Sequence, residues 1–343
     1  MSDISRRKFL GLAGAAAVGA AFAGFPNLKP AAAQAPVVGS ASVTAPATTA
    51  SHARVYFTKH LDAEHFIKLY SLVNEGIYGK VGLKLHTGEK NGPNILPTAW
   101  VKQLQALIPD SSIVETNTYY KWDRYTTEEH RATLQTNGWN FCPVDILDED
   151  GTVMLPVRGG KHFKEMSMGS HLTNYDSLMV LTHFKGHTAG GFGGSNKNIG
   201  IGCADGRTGK AMIHTGDNPD EWGLTPQQWQ IMKEAFMERM TESSKATVDY
   251  FGKHIAYINV MRRMSVDCDC AGINAAEPTI PDIGMLASTD ILAIDQACVD
   301  LVYASPNNKD LVERIESRRG LRQLSYMAEL KMGNPRYELI CVD

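Results

Sequence analysis

The sequence predicts an α/β fold: a single domain with a mixed, mainly parallel sheet flanked by helices. Three observations carry that expectation. Short apolar runs of strand length alternate with segments of helical period, the pattern of βαβ units. The chain of 343 residues is long enough to bury a large core in one domain. A glycine-dense stretch directly follows the apolar run Leu178–Leu181, the place where α/β sheets put their sites.

The elements follow in order. Residues 5–10, SRRKFL, read as a twin-arginine export signal, followed by a Gly/Ala-rich run from Phe9 to Gly24 and a small-residue cleavage site at Ala31–Ala33. Residues 1–33 are therefore expected to be removed, giving a periplasmic or secreted protein exported folded by the twin-arginine machinery. That leader carries Arg6, Arg7, Lys8, Lys29 and Asp3, so 34 basic and 37 acidic residues fall to 30 and 36, a net charge of −6. With no basic block, nucleic acid is not an expected partner. No second apolar segment reaches spanning length, so no stable membrane span is expected after cleavage. Residues 34–52, rich in Ala, Pro, Ser and Thr, read as a disordered linker. The α/β domain then occupies residues 53–343.

Within it, Arg54–Thr58 reads as a strand, and Asp62 as the N-cap of a helix from Ala63 to Ile77. Lys80–His86 is a strand, Trp100–Leu107 a helix and Ser112–Glu115 a strand. Thr126–Glu129 has a capping-box pattern. Val144–Val157 reads as a strand pair with DEDG, residues 148–151, as its turn. The central stretch is taken as a loop ending near Lys197 and Asn198. Thr225–Met240 is an amphipathic helix whose Trp229, Met232 and Phe236 face the core. His254–Val260 and Pro281–Ala287 are strands, and Thr289 or Asp290 caps a helix running to Tyr303. Two charged helices and a strand over Tyr337–Val342 close the chain.

Chemistry concentrates in residues 178–214. His183, Lys185, His187, Gly193, Gly194, Lys197, Asn198 and His214 share this stretch. Glycine lets a backbone approach a ligand closely, lysine can neutralise an anion beside backbone N–H groups, and imidazole is a common transition-metal ligand. Lys197 is not a phosphate-loop lysine of the Walker type, because Asn198 follows where Ser or Thr should; Lys185 competes with it for the anion. Six cysteines are present. Cys268 and Cys270, if extended, share one strand face and could hold a soft metal, form a redox-active disulfide or supply a nucleophile. Lys84, His86 and Arg124 sit in or just beyond two strands and, on a parallel sheet, would shape an anionic substrate pocket beside the central loop.

The segments KVGLKLHTGE (80–89), THFKGHTAGGFGGSNKNIGIG (182–202), VDCDC (266–270) and PDIGMLASTDILAIDQACVDLV (281–302) together resemble the domain of unknown function family 362, over about residues 53–305. Many members of that family carry a ferredoxin-like C-x2-C-x2-C-x3-C module. This chain has no such run, so no ferredoxin-type iron–sulfur cluster is expected. HTAGGFGGSNK (187–197) is more faintly similar to a segment of the lactate racemase superfamily. That resemblance implies His187 as acid/base, Lys197 as tether of a nickel-pincer cofactor and His214 as a nickel ligand.

The expectation is an exported enzyme or redox protein, an oxidoreductase or isomerase, dependent on a transition metal or metallocofactor, with nickel, iron and zinc unresolved. It would act on a small, anionic substrate. His187, Lys197 and His183 would be its catalytic residues and His214, Cys268 and Cys270 its metal ligands. Its concrete form is proton or hydride exchange on a hydroxy-acid-like molecule. The competing expectation is a periplasmic metal- or anion-binding protein without turnover.

Overall fold

The computed structural model describes residues 52–215 and 226–343, with side chains in the second stretch from residue 234 onward. The export signal, almost all of the linker, and the Trp229 and Met232 side chains lie outside the described residues.

Among the described residues the sheet has eight strands. In chain order its members are β1 (Ala53–Thr58), β2 (Val81–Lys84), β3 (Ser111–Glu115), β4 (Val144–Ile146), β7 (Ser177–His183), β10 (Ile255–Met261), β11 (Gly284–Ser288) and β12 (Tyr337–Cys341). Two small hairpins complete the strands: β5 (Thr152–Pro156) with β6 (Glu165–Gly169), and β8 (Lys185–His187) with β9 (Gly191–Gly193). Across the sheet the order is β12-β1-β11-β10-β7-β2-β3-β4. Only β11 runs against its neighbours; every other pairing is parallel. The sheet is thus mixed and mainly parallel.

Alternation along the strands builds a core on each face. Leu178 and Val180 of β7 join one apolar cluster and Met179 and Leu181 the other. The second cluster is closed by α1 (Ala63–Val73), α2 (Thr98–Gln105) and α3 (Thr127–Thr136), through Phe66, Leu69, Val101, Leu104 and Leu134. The first is closed by α4 (Ser195–Gly202), α5 (Thr208–Thr215), α6 (Pro226–Phe251), α7 (Ile291–Ala304), α8 (Lys309–Ser317) and α9 (Arg322–Glu329). A sheet buried on both faces explains why β7 and β10 read as continuous apolar runs.

Local signals held where they depend on neighbours in sequence. Asp62 caps α1 by accepting from the His65 N–H, Asp290 caps α7 by accepting from Ala293, and Thr126 with Glu129 forms a full capping box. The first helix ends at Val73, with a 3₁₀ turn at Asn74–Gly76 beyond it. Two expectations are corrected. Val144–Ile146 does not pair with Thr152–Pro156: it takes the open parallel edge of β3, while Thr152–Pro156 pairs antiparallel with Glu165–Gly169. The central loop is in fact the β8–β9 hairpin followed at once by α4, so Lys197 and Asn198 are helical.

From β2 the chain moves outward through β3 and β4, whereas from β7 it moves the opposite way through β10 and β11. The crevice between the carboxyl ends of β2 and β7 is therefore the topological switch point, the usual ligand position in an open α/β sheet.

Candidate functional site

Asn198 marks the switch point. From α4 its Nδ2 donates to the Leu181 carbonyl at 3.1 Å, to Thr182 Oγ1 at 3.0 Å and to the Lys84 carbonyl at 3.4 Å, while its Oδ1 accepts from Lys84 Nζ at 2.8 Å. This side chain thus joins β2 to β7, and its amide is engaged before any anion arrives. Lys84 is fully buried and lies beneath the crevice. Its Nζ also donates to the Leu85 carbonyl and stands 3.6 Å from Glu115, so it serves as an internal counter-charge where the sequence suggested an anion ligand.

Above these residues lies a cavity of about 70 Å³, room for a few waters or one small anion. Loops from the carboxyl ends of four strands bound it: His86 after β2, Glu115 and the 118–124 loop at β3, Lys185 and His187 after β7, and Cys270 after β10. Gly194, Lys197 and Asn198 come from α4 and the glycine preceding it, Lys210 and His214 from α5, and Phe236 from α6.

Cationic side chains converge here, most with a fixed partner. Arg124 donates to Glu89 Oε1 and to Glu115 Oε2, each at 3.1 Å. Burial alone would raise the Glu115 carboxyl, but Lys84 and Arg124 more than offset it and hold it well below the usual range. Lys185 Nζ meets Asp269 at 3.0 Å. Lys210 Nζ donates to Thr116 Oγ1 at 2.8 Å and to the Thr116 and Asn117 carbonyls, and burial pushes its pKa down to about 8. Lys197 Nζ faces Cys268 Sγ at 3.9 Å. The cations Lys84, Arg124, Lys185 and Lys210 are offset by the carboxylates of Glu89, Glu115, Asp269 and Asp148. Lys197, whose contact is the Cys268 sulfur, is the cation placed to meet an anion.

The sulfur chemistry lies on the opposite wall. The VDCDC segment is not an extended strand: Cys268 precedes a 3₁₀ turn at Asp269–Asn274. Cys268 and Cys270 nevertheless meet, and one ring nitrogen of His187 joins them, with the three donor atoms within 4.8 Å of one another. The two cysteines share a hydrogen bond. It drives Cys268 well below the ordinary thiol value, helped by Lys197, His86 and Lys185 against burial. The same bond, with burial, drives Cys270 well above it. Cys268 is the more acidic of the pair and Cys270, which lines the cavity, the less acidic.

His183 does not reach the cavity. Its Nδ1 meets Asp269 at 2.9 Å and its Nε2 the Arg262 carbonyl at 2.7 Å, so it anchors the cysteine turn to β7. Burial by itself would raise Asp269, yet His183 and Lys185 hold its carboxyl below the usual range. The glycines are not an anion cradle either. The Ser195 and Asn196 N–H groups that open α4 donate to Asp295, at 2.8 and 2.9 Å. A Cβ on Gly194 would stand 2.5 Å from that carboxylate, and one on Gly193 would touch Lys197 and Lys185. Those glycines make room for side chains. His162 and His171 lie elsewhere, paired with Glu238 at 2.7 Å and with Asp145 and Asp150 at 2.7 and 2.9 Å.

The donor types fit a soft or borderline metal, since sulfur and imidazole are its preferred ligands. His187 adds a condition. Its Nδ1 accepts from the Ala189 and Gly190 N–H groups at 3.1 and 2.8 Å, so the proton of the neutral ring sits on Nε2. Ligation through Nε2 would displace that proton. The two sulfurs are therefore the donors this geometry supports most directly. His214 has the opposite arrangement: its Nδ1–H donates to the Lys210 carbonyl at 2.7 Å, the backbone-carbonyl partnership common among ligating histidines.

Lys210, Glu115 and Tyr120 also shape the site and carried no motif. Lys210 sits one helical turn before His214, the i, i+4 spacing that places both on one face.

Together, fold and site define an α/β domain with a cationic, histidine- and cysteine-lined crevice at its switch point. The chain belongs to the family described as Domain of unknown function (DUF362), whose signature matches residues 81–300. Comparison with curated protein sequences finds no match. Among solved structures it is similar to the lactate racemase apoprotein from Thermoanaerobacterium thermosaccharolyticum. That likeness has 12% identity and a TM-score of 0.40, over 72% of this chain and 56% of that one.

Proposed function

We propose that this is an exported enzyme that depends on a metal or metallocofactor and acts on a small anionic substrate held in the switch-point cavity. One observation carries the reading: Lys185, Lys197, Lys210 and Arg124 converge on the same cavity as His86, His187, His214 and Cys270, with Cys268 beside the last. Buried, mutually paired charges with polarisable donors beside them are the arrangement expected of a catalytic site, where pKa values are displaced for a purpose. A metal bound at the sulfurs would supply Lewis-acid stabilisation of charge developing on the substrate. The protein's own part is to neutralise the anion with Lys197, to keep water out with Tyr119, Ile201 and Phe236, and to hold protons at defined imidazole nitrogens. Export by the twin-arginine route is supported by Arg6–Arg7 and the apolar run behind them.

The test is elemental analysis with an absorption spectrum on protein exported natively and purified without chelator. A stoichiometric transition metal that is lost in Cys268→Ser or Cys270→Ser supports the reading. Absence of metal together with a featureless spectrum overturns its metal part. A non-catalytic metal- or anion-binding protein is the second reading, favoured by the small size of the cavity. An open coordination position with bound substrate turned over decides for the enzyme, and a closed one for the carrier.

A further inference from the structure

The three cavity histidines do not present the same hydrogen-bonding atom. The backbone assigns each one. His86 Nδ1 accepts from the Gly88 N–H at 3.0 Å and His187 Nδ1 accepts from Ala189 and Gly190, so both neutral rings carry their proton on Nε2. The His86 proton is directed at Cys268 Sγ, 3.7 Å away. His187 also lines the cavity, and its Nε2–H is the donor its backbone contacts leave over. His214 is reversed. Its Nδ1–H is held by the carbonyl of Lys210 in its own helix, so its Nε2, at the far side of the ring, is a bare lone pair. Stacking on Tyr119 at 5.7 Å and tilted contact with Phe236 at 5.3 Å hold the ring in that pose. Burial keeps it neutral, with its pKa down at about 4.

We infer that the cavity selects a small oxyanion that carries its own O–H group: anionic oxygens toward Lys197 and the His187 N–H, and the hydroxyl donating to His214 Nε2. This rests on the anion-site reading above and names the ligand class for that site. An oxyanion with no proton would aim a lone pair at the lone pair of His214, and a buried acceptor left without a donor is costly.

Hydrogen phosphate and sulfate are tetrahedral and similar in size, and differ in that the first has an O–H. Titration calorimetry of the full, natively exported protein at pH 8 and constant ionic strength should show hydrogen phosphate binding roughly tenfold or more tighter than sulfate. His214→Phe should abolish the difference between the two anions, weakening phosphate and relieving sulfate of the lone-pair clash. Should that variant not fold, ¹⁵N spectroscopy of the unsubstituted protein gives a second reading: His214 Nε2 unprotonated and His187 Nε2 protonated are expected, and the reverse assignment overturns the inference. Equal affinity for the two anions overturns the hydroxyl requirement and leaves the anion site standing. Failure of both anions to bind overturns the requirement and the anion site together.

Discussion

Asn198 and Lys197 are adjacent in sequence and opposite in role, and the difference is set by what each atom already touches. The Asn198 amide ties β2 to β7 through four contacts. Asn198→Ala would leave Lys84 Nζ and two strand carbonyls short of partners in a dry crevice. A loss of roughly 2–4 kcal/mol is expected, visible as a lower urea midpoint with an unchanged slope. A loss below about 0.5 kcal/mol, within the range of ordinary surface substitutions, would mean that water replaces the amide. Lys197 instead has the Cys268 sulfur as its contact and, among the described residues, no carboxylate against it. Lys197→Met keeps the length of the stem and removes the charge. Anion affinity should fall by about tenfold or more, while the unfolding midpoint moves little, because burying the ammonium was itself costly. Unchanged anion affinity in this variant would exclude Lys197 from the binding site.

Elements position these residues by backbone contact. The β8–β9 hairpin lies directly on the cysteine turn, and a Cβ on Gly186 would stand 2.3 Å from the Val266 carbonyl oxygen. Backbone cannot rotate away as a side chain does. Gly186→Ala should therefore lift the hairpin, cost roughly 1–3 kcal/mol, and separate His187 from Cys268 and Cys270, so metal content would fall along with stability. Retention of both would show that the hairpin can shift without disturbing the cluster. The far side of the hairpin is braced by the tail: Gln323 of α9 donates to the Gly190 and Phe192 carbonyls at 2.7 and 3.1 Å. None of this was legible in the sequence. Caps at Asp62 and Thr126 were, and the third was narrowed to Thr289 or Asp290, because the partner atom lies within three residues; so was the strand–helix alternation that gives a mainly parallel sheet. The pairing of residues 144–157 was not, since it depends on which sheet edge is open. The carboxylate that fixes His183 lies 86 residues away, and no local pattern announces it. Lys197, His214, Cys268 and Cys270 were readable as candidates from residue type, but neither their proximity nor the direction of each imidazole was, because long-range packing and backbone carbonyls and amides decide them.

At the scale of the whole molecule, the switch point concentrates buried neutral histidines, and that couples the fold to acid. His130 of α3 is fully buried, with Nδ1 3.3 Å from Asn117 Oδ1 and Nε2 3.4 Å from Thr87 Oγ1. Burial, then the positive charge of Arg124, lowers its pKa to about 3 against 6.5 for a free side chain. The unfolded chain therefore binds a proton in this interval that the native state refuses, so stability rises with pH there. The contribution of His130 is fully present above pH 6.5 and is lost as pH falls toward about 3. It amounts to something on the order of 3 kcal/mol by pH 4. His86, His187 and His214 are shifted in the same direction by burial, so the losses add and acid should open the site crevice along with the fold. Urea unfolding followed from pH 7 to pH 4 should show a steep decline in the parent protein. In His130→Leu the protein should start less stable at pH 7, having lost two polar contacts, yet decline less with acid. Parallel curves for the two proteins would show that His130 gains a proton in the native state as readily as in the unfolded one, and that acid acts on this fold through other groups.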